Sequence, residues 1–479
     1  MPAKIVIIGA GSLVFSSRLT ADILSYPATR DAEFALVDID KERLAYAGRI
    51  IERIFKEGGY DKATYTATAD RRKALKGADY VITSLLVGGY PAIEAEIDIA
   101  MKYGVDQCIG DTLTPGGIMR CLRTLPHQAG IAQDIMEICP NAVLLNYTNP
   151  MSMLCWGMYR QAPGIKLVGL CHSVQGTCSQ WASRLGLDMK DINFECAGIN
   201  HQAWITRFEK DGQDLLPKIR DIATQPKHWL GDTVRMEYVK HLGFPVTESS
   251  GHCSEYTPWW RKRPELIKDY CPNTGFNGES AFIKKLYARP DWKEQMEKMA
   301  TGETKVNLKR SHEYGSQIIN ACEGGEALII HGNVENTGII DNLPQGACIE
   351  GPIFVDKNGL QPIKVGKIPM HLAAINRTQI NVQELAVEAA LTGDPEIVFQ
   401  AMAMDPLTAA VLTLDQIRDM TIELMAAHAK WIPQFKGKKL ASKPYMVGCV
   451  ADKVEKHEDE AEKRAPIAGK KKSKTTAKK

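Results

Sequence analysis

The strongest constraint on the fold is a short β-branched run, Lys4-Ile5-Val6-Ile7-Ile8, that stops at Gly9-Ala10-Gly11-Ser12. An apolar strand without polar alternation is buried on both faces, which places it in a parallel sheet covered by helices on each side. The glycines then allow a tight turn into a helix, whose N-terminus and backbone N–H groups favour a pyrophosphate. Similar runs recur at Glu33–Val37, Tyr80–Leu86, Val143–Asn146 and Lys166–Leu170, with helical stretches such as Ala21–Leu24 and Lys41–Phe55 between them. This alternation predicts βαβ units, and so an α/β fold with a Rossmann-like doubly wound parallel sheet. After about residue 195 the pattern changes to strands joined by turns, as in Trp204–Glu209 before Asp211-Gly212, mixed with helices such as Asn381–Leu391. A second, α+β domain is expected there. The expected division is a nucleotide-binding domain over residues 1–195, a substrate, metal and oligomerisation domain over 196–451, and a disordered basic tail over 452–479. The tail contains Gly469-Lys470-Lys471-Lys472-Ser473-Lys474, a composition that cannot bury a core.

Charge narrows the partners. In 479 residues, Lys+Arg 59 against Asp+Glu 57 leaves a formal net charge of +2, so no global field draws the chain to nucleic acid or membranes. No apolar run reaches the ~18 residues of a membrane span, and the first strand begins too early for a secretory signal. Twelve scattered cysteines without a Cys-x-x-Cys pair read as reduced thiols. A cytoplasmic protein acting on a small molecule is expected.

The strand ends carry the candidate chemistry. Gly9, Gly11 and Ser12 form the phosphate turn, and Val37-Asp38 puts an acidic side chain where an adenosine ribose would offer its hydroxyls. Asp38 would repel a 2′-phosphate, favouring NAD over NADP. Val14 stands where the usual fingerprint has its third glycine. Gly88-Gly89 and Asn149-Pro150 follow two more strands, and the fifth runs into Cys171-His172-Ser173, with a second histidine in Gly198-Ile199-Asn200-His201. A thiolate and an imidazole can hold a divalent metal, although a cysteine after a strand is more often a small core residue. Asp111 and Arg120 lie around a glycine-rich Pro115-Gly116-Gly117, and Glu248, His252 and Glu255-Tyr256-Thr257-Pro258-Trp259-Trp260 combine acidic, phenolic and indole groups that suit a sugar's hydroxyls and apolar faces. Ser311-His312-Glu313-Tyr314 and Gly332-Asn333-Val334 read equally well as turns or helix caps.

Taken together these blocks resemble glycoside hydrolase family 4. The resemblance rests on Gly110-Asp111-Thr112, Pro115-Gly116-Gly117-Ile118-Met119-Arg120, Leu145-Asn146-Tyr147, Asn149-Pro150-Met151, Gly169-Leu170-Cys171-His172-Ser173-Val174-Gln175-Gly176, Cys196-Ala197-Gly198-Ile199-Asn200-His201, Glu255-Tyr256-Thr257-Pro258-Trp259 and Asp341-Asn342-Leu343-Pro344-Gln345-Gly346. It covers the chain from Gly9 to about Pro433. It implies NAD and a divalent metal, Mn²⁺, in a redox elimination that departs from the usual two-carboxylate scheme. Hydride would leave C3, the C2 proton would become acidic, the aglycone would depart from C1, and water and hydride would then return. By resemblance Cys171 and His201 are metal ligands and Asn149 contacts cofactor, substrate or metal. Tyr256 is the C2 base with Glu248 as its competitor, His172 protonates the leaving group, and Asp111 and Arg120 position substrate. Cys-His-Ser at the first ligand implies an unphosphorylated α-glycoside, and the pattern is most similar to α-galactosidases cleaving melibiose, acting as a homodimer or homotetramer. Thr114 and Gly351 depart from the family's glycine and valine, which leaves α-glucosidase or α-galacturonidase specificity open. Two readings outside the family are an NAD-dependent 2-hydroxyacid dehydrogenase and a nucleotide-sensing module.

Overall fold

The computed structural model describes residues 2–12, 15–271 and 281–441, the side chains of 281 and 282 excepted. Val14 and the expected tail at 452–479 lie outside the described residues. Among the described residues twelve strands form one sheet. The first six are β1 (Lys4–Ile8), β2 (Glu33–Val37), β3 (Thr64–Thr68), β4 (Tyr80–Thr83), β5 (Val143–Asn146) and β6 (Lys166–Gly169). They run parallel in the order β3-β2-β1-β4-β5-β6. This is the doubly wound order, in which strands are added outward in both directions from β1 and a crevice opens at the carboxyl ends between β1 and β4. In β1 only Lys4 is not fully buried, as its unbroken apolar run requires.

The remaining strands are β7 (Asn193–Ile199), β8 (Gln202–Lys210), β9 (Gln213–Asp214), β10 (Leu328–Glu335), β11 (Cys348–Asp356) and β12 (Gly359–Pro362). They do not make a sheet of their own. The order continues β6-β10-β11-β7-β8-β9, with β12 on β11, and all these added pairings are antiparallel. The two joints that carry the extension are narrow: Asn333 pairs with Gly169, and Glu350 with Gly198.

Two strand expectations change. The run at Tyr80–Leu86 leaves the ladder after Thr83, because the Leu85 N–H is taken by the Thr148 hydroxyl at 3.0 Å and Leu86 is 41% exposed. Strand β3, Thr-Tyr-Thr-Ala-Thr, is an edge strand with no residue fully buried, so it carries no apolar run to read. The helices used below are α1 (Phe15–Leu24), α2 (Lys41–Gly58), α3 (Thr114–Ile138), α4 (Ser173–Arg184) and α5 (Met370–Thr392). Helix α2 is capped by the Asp40 carboxylate, which accepts the Glu42 and Arg43 N–H groups, and ends at Gly59 in the left-handed region. Helix α3 is buried along most of its length and packs against α5. No helix among the described residues is long and apolar enough to cross a membrane.

Gly9 is the residue on which the first turn depends. Its φ is +91°, and a Cβ there would lie 2.1 Å from the Ser84 carbonyl oxygen on the next strand's exit. Gly9→Ala is expected to cost at least about 2 kcal/mol, from the left-handed conformation and the overlap with backbone. Urea unfolding measures it: the variant's midpoint should fall clearly, and an unchanged midpoint would contradict this packing.

Candidate active site

The turn after β1 closes on itself. Gly9 and Ala10 donate their N–H groups to the Val37 carbonyl at 2.9 and 3.0 Å, Gly11 donates to Asp38 Oδ2 at 2.8 Å, and Ser12 donates to the Gly9 carbonyl at 3.2 Å. The N–H groups of residues 9–12, expected to face a pyrophosphate, are thus committed to the protein, and residues 13 and 14 lie outside the described chain. Asp38 holds the turn and also accepts the Asp40 N–H at 2.9 Å. Gly9, Gly11, Ser12 and Asp38 do come together at the carboxyl ends of β1 and β2, and a Cβ on Gly11 would meet Asp38 Oδ2 at 2.8 Å.

The second cluster gathers residues from strand ends and from the segment after β8. Cys171 follows β6 and His201 lies in the β7–β8 turn with φ +63°. The Cys171 Sγ lies 3.1 Å from His201 Nε2, and Glu248 Oε2 lies 3.6 Å from the same nitrogen. The far side of the ring is fixed as well. His201 Nδ1 lies 2.8 Å from Thr112 Oγ1, which donates its one hydrogen to Asp111 Oδ1 at 2.8 Å. The hydroxyl must therefore accept from Nδ1–H, which leaves Nε2 as the nitrogen facing the thiol. Burial alone would raise the Cys171 thiol, but the His201 charge brings it down to about 6. Burial would lower His201, but the Cys171 charge raises it to about 9. The two form a thiolate–imidazolium pair.

The other expected residues are placed as follows. Asp111 is buried and engaged by Thr112, by Asn149 Nδ2 at 3.2 Å and by His252 Nε2 at 3.2 Å; despite burial, His252 and Arg120 hold its carboxyl below the usual range. Arg120 Nη1 lies 3.6 Å from Asp111 and its Nη2 3.9 Å from Glu96. Asn149 thus joins this cluster rather than the glycine turn, and its buried Oδ1 has no hydrogen-bond partner among the described residues. Tyr256 is 1% exposed with its hydroxyl 3.2 Å from His201 Nδ1, and burial together with Glu255 and Asp111 pushes the phenol well above its ordinary value. It is protonated as it stands, so work as a base requires added positive charge nearby. Glu248 adopts φ +79°, and against the effect of burial His252 and His201 hold its carboxyl below the usual range. His172 is different: its side chain is 62% exposed and its Nε2 lies 2.6 Å from Glu313, which raises its pKa.

Several contributors carried no assignment in the sequence reading. His252 packs against both His201 and Tyr256, with ring centroids 4.5 and 5.2 Å apart, and sits between Asp111 and Glu248. Glu255 is wholly buried and accepts the N–H groups of Cys108, Ile109 and Gly110, fixing the loop that carries Asp111. Asn333 donates to the Gly169 carbonyl and to Glu350 Oε1, both at 3.2 Å, bridging the strands that lead to Cys171 and His201. Burial and the Cys171 charge raise Glu350 to about 8, so near neutral pH it is largely a neutral acid. The Gly332-Asn333-Val334 and Ser311-His312-Glu313-Tyr314 segments, which read equally well as turns or helix caps, bring Asn333 to the Gly169 carbonyl and Glu313 to His172. Thr114 occupies the left-handed region at φ +64°, held by its N–H on Asp405 and its hydroxyl on Gln107 at 2.6 Å. At Gly351 a Cβ would meet nothing closer than 3.6 Å among the described residues, so a larger side chain has room to begin there.

Two groups of donor atoms lie within 4.8 Å of one another, Cys171–His201–Glu248 and Asp111–His201–His252. Placed at the carboxyl end of a doubly wound sheet, such donors suit a divalent cation. The family model described as family 4 glycosyl hydrolase matches residues 4–187, and that for its C-terminal domain matches residues 196–408. The chain belongs to glycosyl hydrolase family 4. It is 40% identical over 440 residues to an alpha-galactosidase of Bacillus subtilis (strain 168), covering 90% of this chain and 100% of that one. The crystal structure of lplD from Bacillus subtilis superposes with a TM-score of 0.80 at 29% identity, over 88% of this chain and 99% of that one. A 6-phospho-beta glucosidase from Thermotoga maritima, solved with manganese, NAD+ and glucose-6-phosphate, shares the fold at a TM-score of 0.72 and 21% identity, over 91% and 100% of the two chains. Neither the dehydrogenase nor the sensing-module reading is favoured beside these likenesses.

The thiolate–imidazolium pair gives a direct test on metal-free protein. Alkylation of Cys171, followed by mass spectrometry, should follow a titration near the value of about 6. In His201→Asn the midpoint should move up by more than about two units, toward and past that of a free thiol. A profile common to both proteins would show that His201 does not set the thiol's charge.

Proposed function

We propose that this protein is an α-galactosidase that hydrolyses unphosphorylated α-galactosides such as melibiose, using NAD and a divalent cation, Mn²⁺, through redox elimination. The observation that carries this reading is the 40% identity, over the whole length of an alpha-galactosidase, in a chain whose Cys171-His172-Ser173 follows the sheet's sixth strand. The donor set fits the cation: a low-pKa thiol, an imidazole with Nε2 turned toward it, and a buried Asn149 oxygen without a partner. Asp38 beside the glycine turn fits an adenosine ribose. When bound, the nicotinamide would exchange hydride with C3 of the sugar, and the cation would stabilise negative charge on the C2 and C3 oxygens.

The chain's own groups supply the rest. Cys171 and His201 would hold the cation, with Asp111 and Thr112 fixing the His201 tautomer from behind. Tyr256 is the group placed to take the C2 proton, and its buried phenol would need positive charge beside it to do so. His172, exposed and oriented by Glu313, gives a proton to the departing aglycone. Asp111, Arg120 and Asn149 orient the sugar. The matched family models support the division into a nucleotide domain at 1–195 and a substrate domain from 196. Every described cysteine is free, in keeping with a cytoplasmic protein. We take it to be a homodimer or homotetramer, which mass photometry measures.

Melibiose hydrolysis should require both NAD and Mn²⁺ and should outpace hydrolysis of an α-galacturonide or α-glucoside. Turnover in D₂O should place deuterium at C2 of the recovered galactose, with a control for exchange into free galactose. Unlabelled product from fully active, NAD-stripped enzyme would overturn this function.

A further inference from the structure

We infer that Glu248 is a third protein ligand to the divalent cation, alongside Cys171 and His201, and is not a base for the sugar. The inference rests on the metal-dependent reading above. The distances from His201 Nε2, 3.1 Å to Cys171 Sγ and 3.6 Å to Glu248 Oε2, match the edges of a coordination shell. Metal–ligand bonds of about 2.0–2.3 Å put neighbouring donors roughly 3–3.7 Å apart. The three donor atoms lie within 4.8 Å of one another, a grouping that could hold one ion.

The backbone supports the same role. Glu248 is not glycine, yet it holds φ +79° in a half-buried segment, where an L-residue is disfavoured. Two contacts keep it there. Its own N–H donates to Thr177 Oγ1 at 3.1 Å, and the Ser249 N–H donates to its Oε1 at 2.8 Å. Thr177 sits on α4, the helix that starts two residues after Cys171, so the element behind one ligand also positions the other. With Oε1 fixed by Ser249 and facing His252 Nδ1 at 3.6 Å, Oε2 is the oxygen turned to His201. The rival triad is less suited to a metal, because its Asp111 carboxylate is already bonded to Thr112, Asn149 and His252. Three protein donors, one of them anionic carboxylate, would leave the remaining coordination positions for substrate oxygens.

Cobalt binding to the metal-free protein separates the possibilities. Co²⁺ titration should give a thiolate charge-transfer band in wild type, and Cys171→Ser should abolish it. Glu248→Gln should keep the band but weaken Co²⁺ binding at least about tenfold, and Glu248→Asp should recover part of that loss. Thermal unfolding of each metal-free variant checks that it is folded; if Glu248→Gln is not, Glu248→Asp must show the weakened binding by itself. Wild-type Co²⁺ affinity in folded Glu248→Gln, with C2 exchange lost, would overturn the inference and make Glu248 the base. A band that survives in Cys171→Ser would instead refute the metal site on which the inference depends.

Discussion

Buried charge that must be opposed is the constraint around which the carboxyl edge of this sheet is built. Glu96 and Arg123, at most 1% exposed, meet at 2.6 Å, and Arg120 lies between Glu96 and Asp111. Asp111 in turn meets His252, and His252 faces Glu248 and Glu255. Removing one member of such a set strands another in a low dielectric, at a cost of about 3–5 kcal/mol for a buried pair. The loops that carry these residues are therefore held by electrostatics as much as by packing. Burial alone would raise the carboxyls of Glu248 and Asp111; in this network the charges beside them bring both below the usual range.

The sheet's unusual join explains why the site assembles where it does. Parallel β6 ends at Gly169 and delivers Cys171; antiparallel β7 ends at Ile199 and delivers His201. Between them in the sheet lie only β10 and β11. Asn333 and Glu350, one from each, are hydrogen-bonded to each other, and Asn333 also reaches the Gly169 carbonyl. The separation of Cys171 and His201 thus depends on strands joined by this contact and by the Glu350–Gly198 pairing, and no local sequence spacing encodes it.

Much of this was legible in the residues themselves. The unbroken apolar runs of β1, β2 and β5 declared a two-sided parallel sheet, and Cys171 and His201 were visible as donors at strand ends. What was not legible depended on partners distant in sequence. Strand β3 alternates threonine with tyrosine and alanine at an exposed edge, so it gave no apolar signal. Leu85 and Leu86 prolong an apolar run beyond the ladder, because only the fold brings Thr148 to the Leu85 N–H. The same holds for Thr112: its value as the hydroxyl that sets the His201 tautomer exists only once residues 112 and 201 are neighbours. The antiparallel strands after residue 195 read correctly as a different pattern, yet pattern alone does not tell whether a strand begins a new sheet or lengthens an old one.

The closed turn at Gly9–Ser12 has a consequence for energetics. With the Gly9 and Ala10 N–H groups on Val37 and the Gly11 N–H on Asp38, the loop holds its shape through bonds internal to the protein. A ligand bound at such a turn would not have to order it, so association would lose less freedom than in ordering a slack loop. The same rigidity sets a limit on adaptation. Enlarging Gly11 or removing the Asp38 carboxylate alters the loop's resting geometry together with its contacts, so the turn's shape and local stability are expected to change together as such a chain diverges.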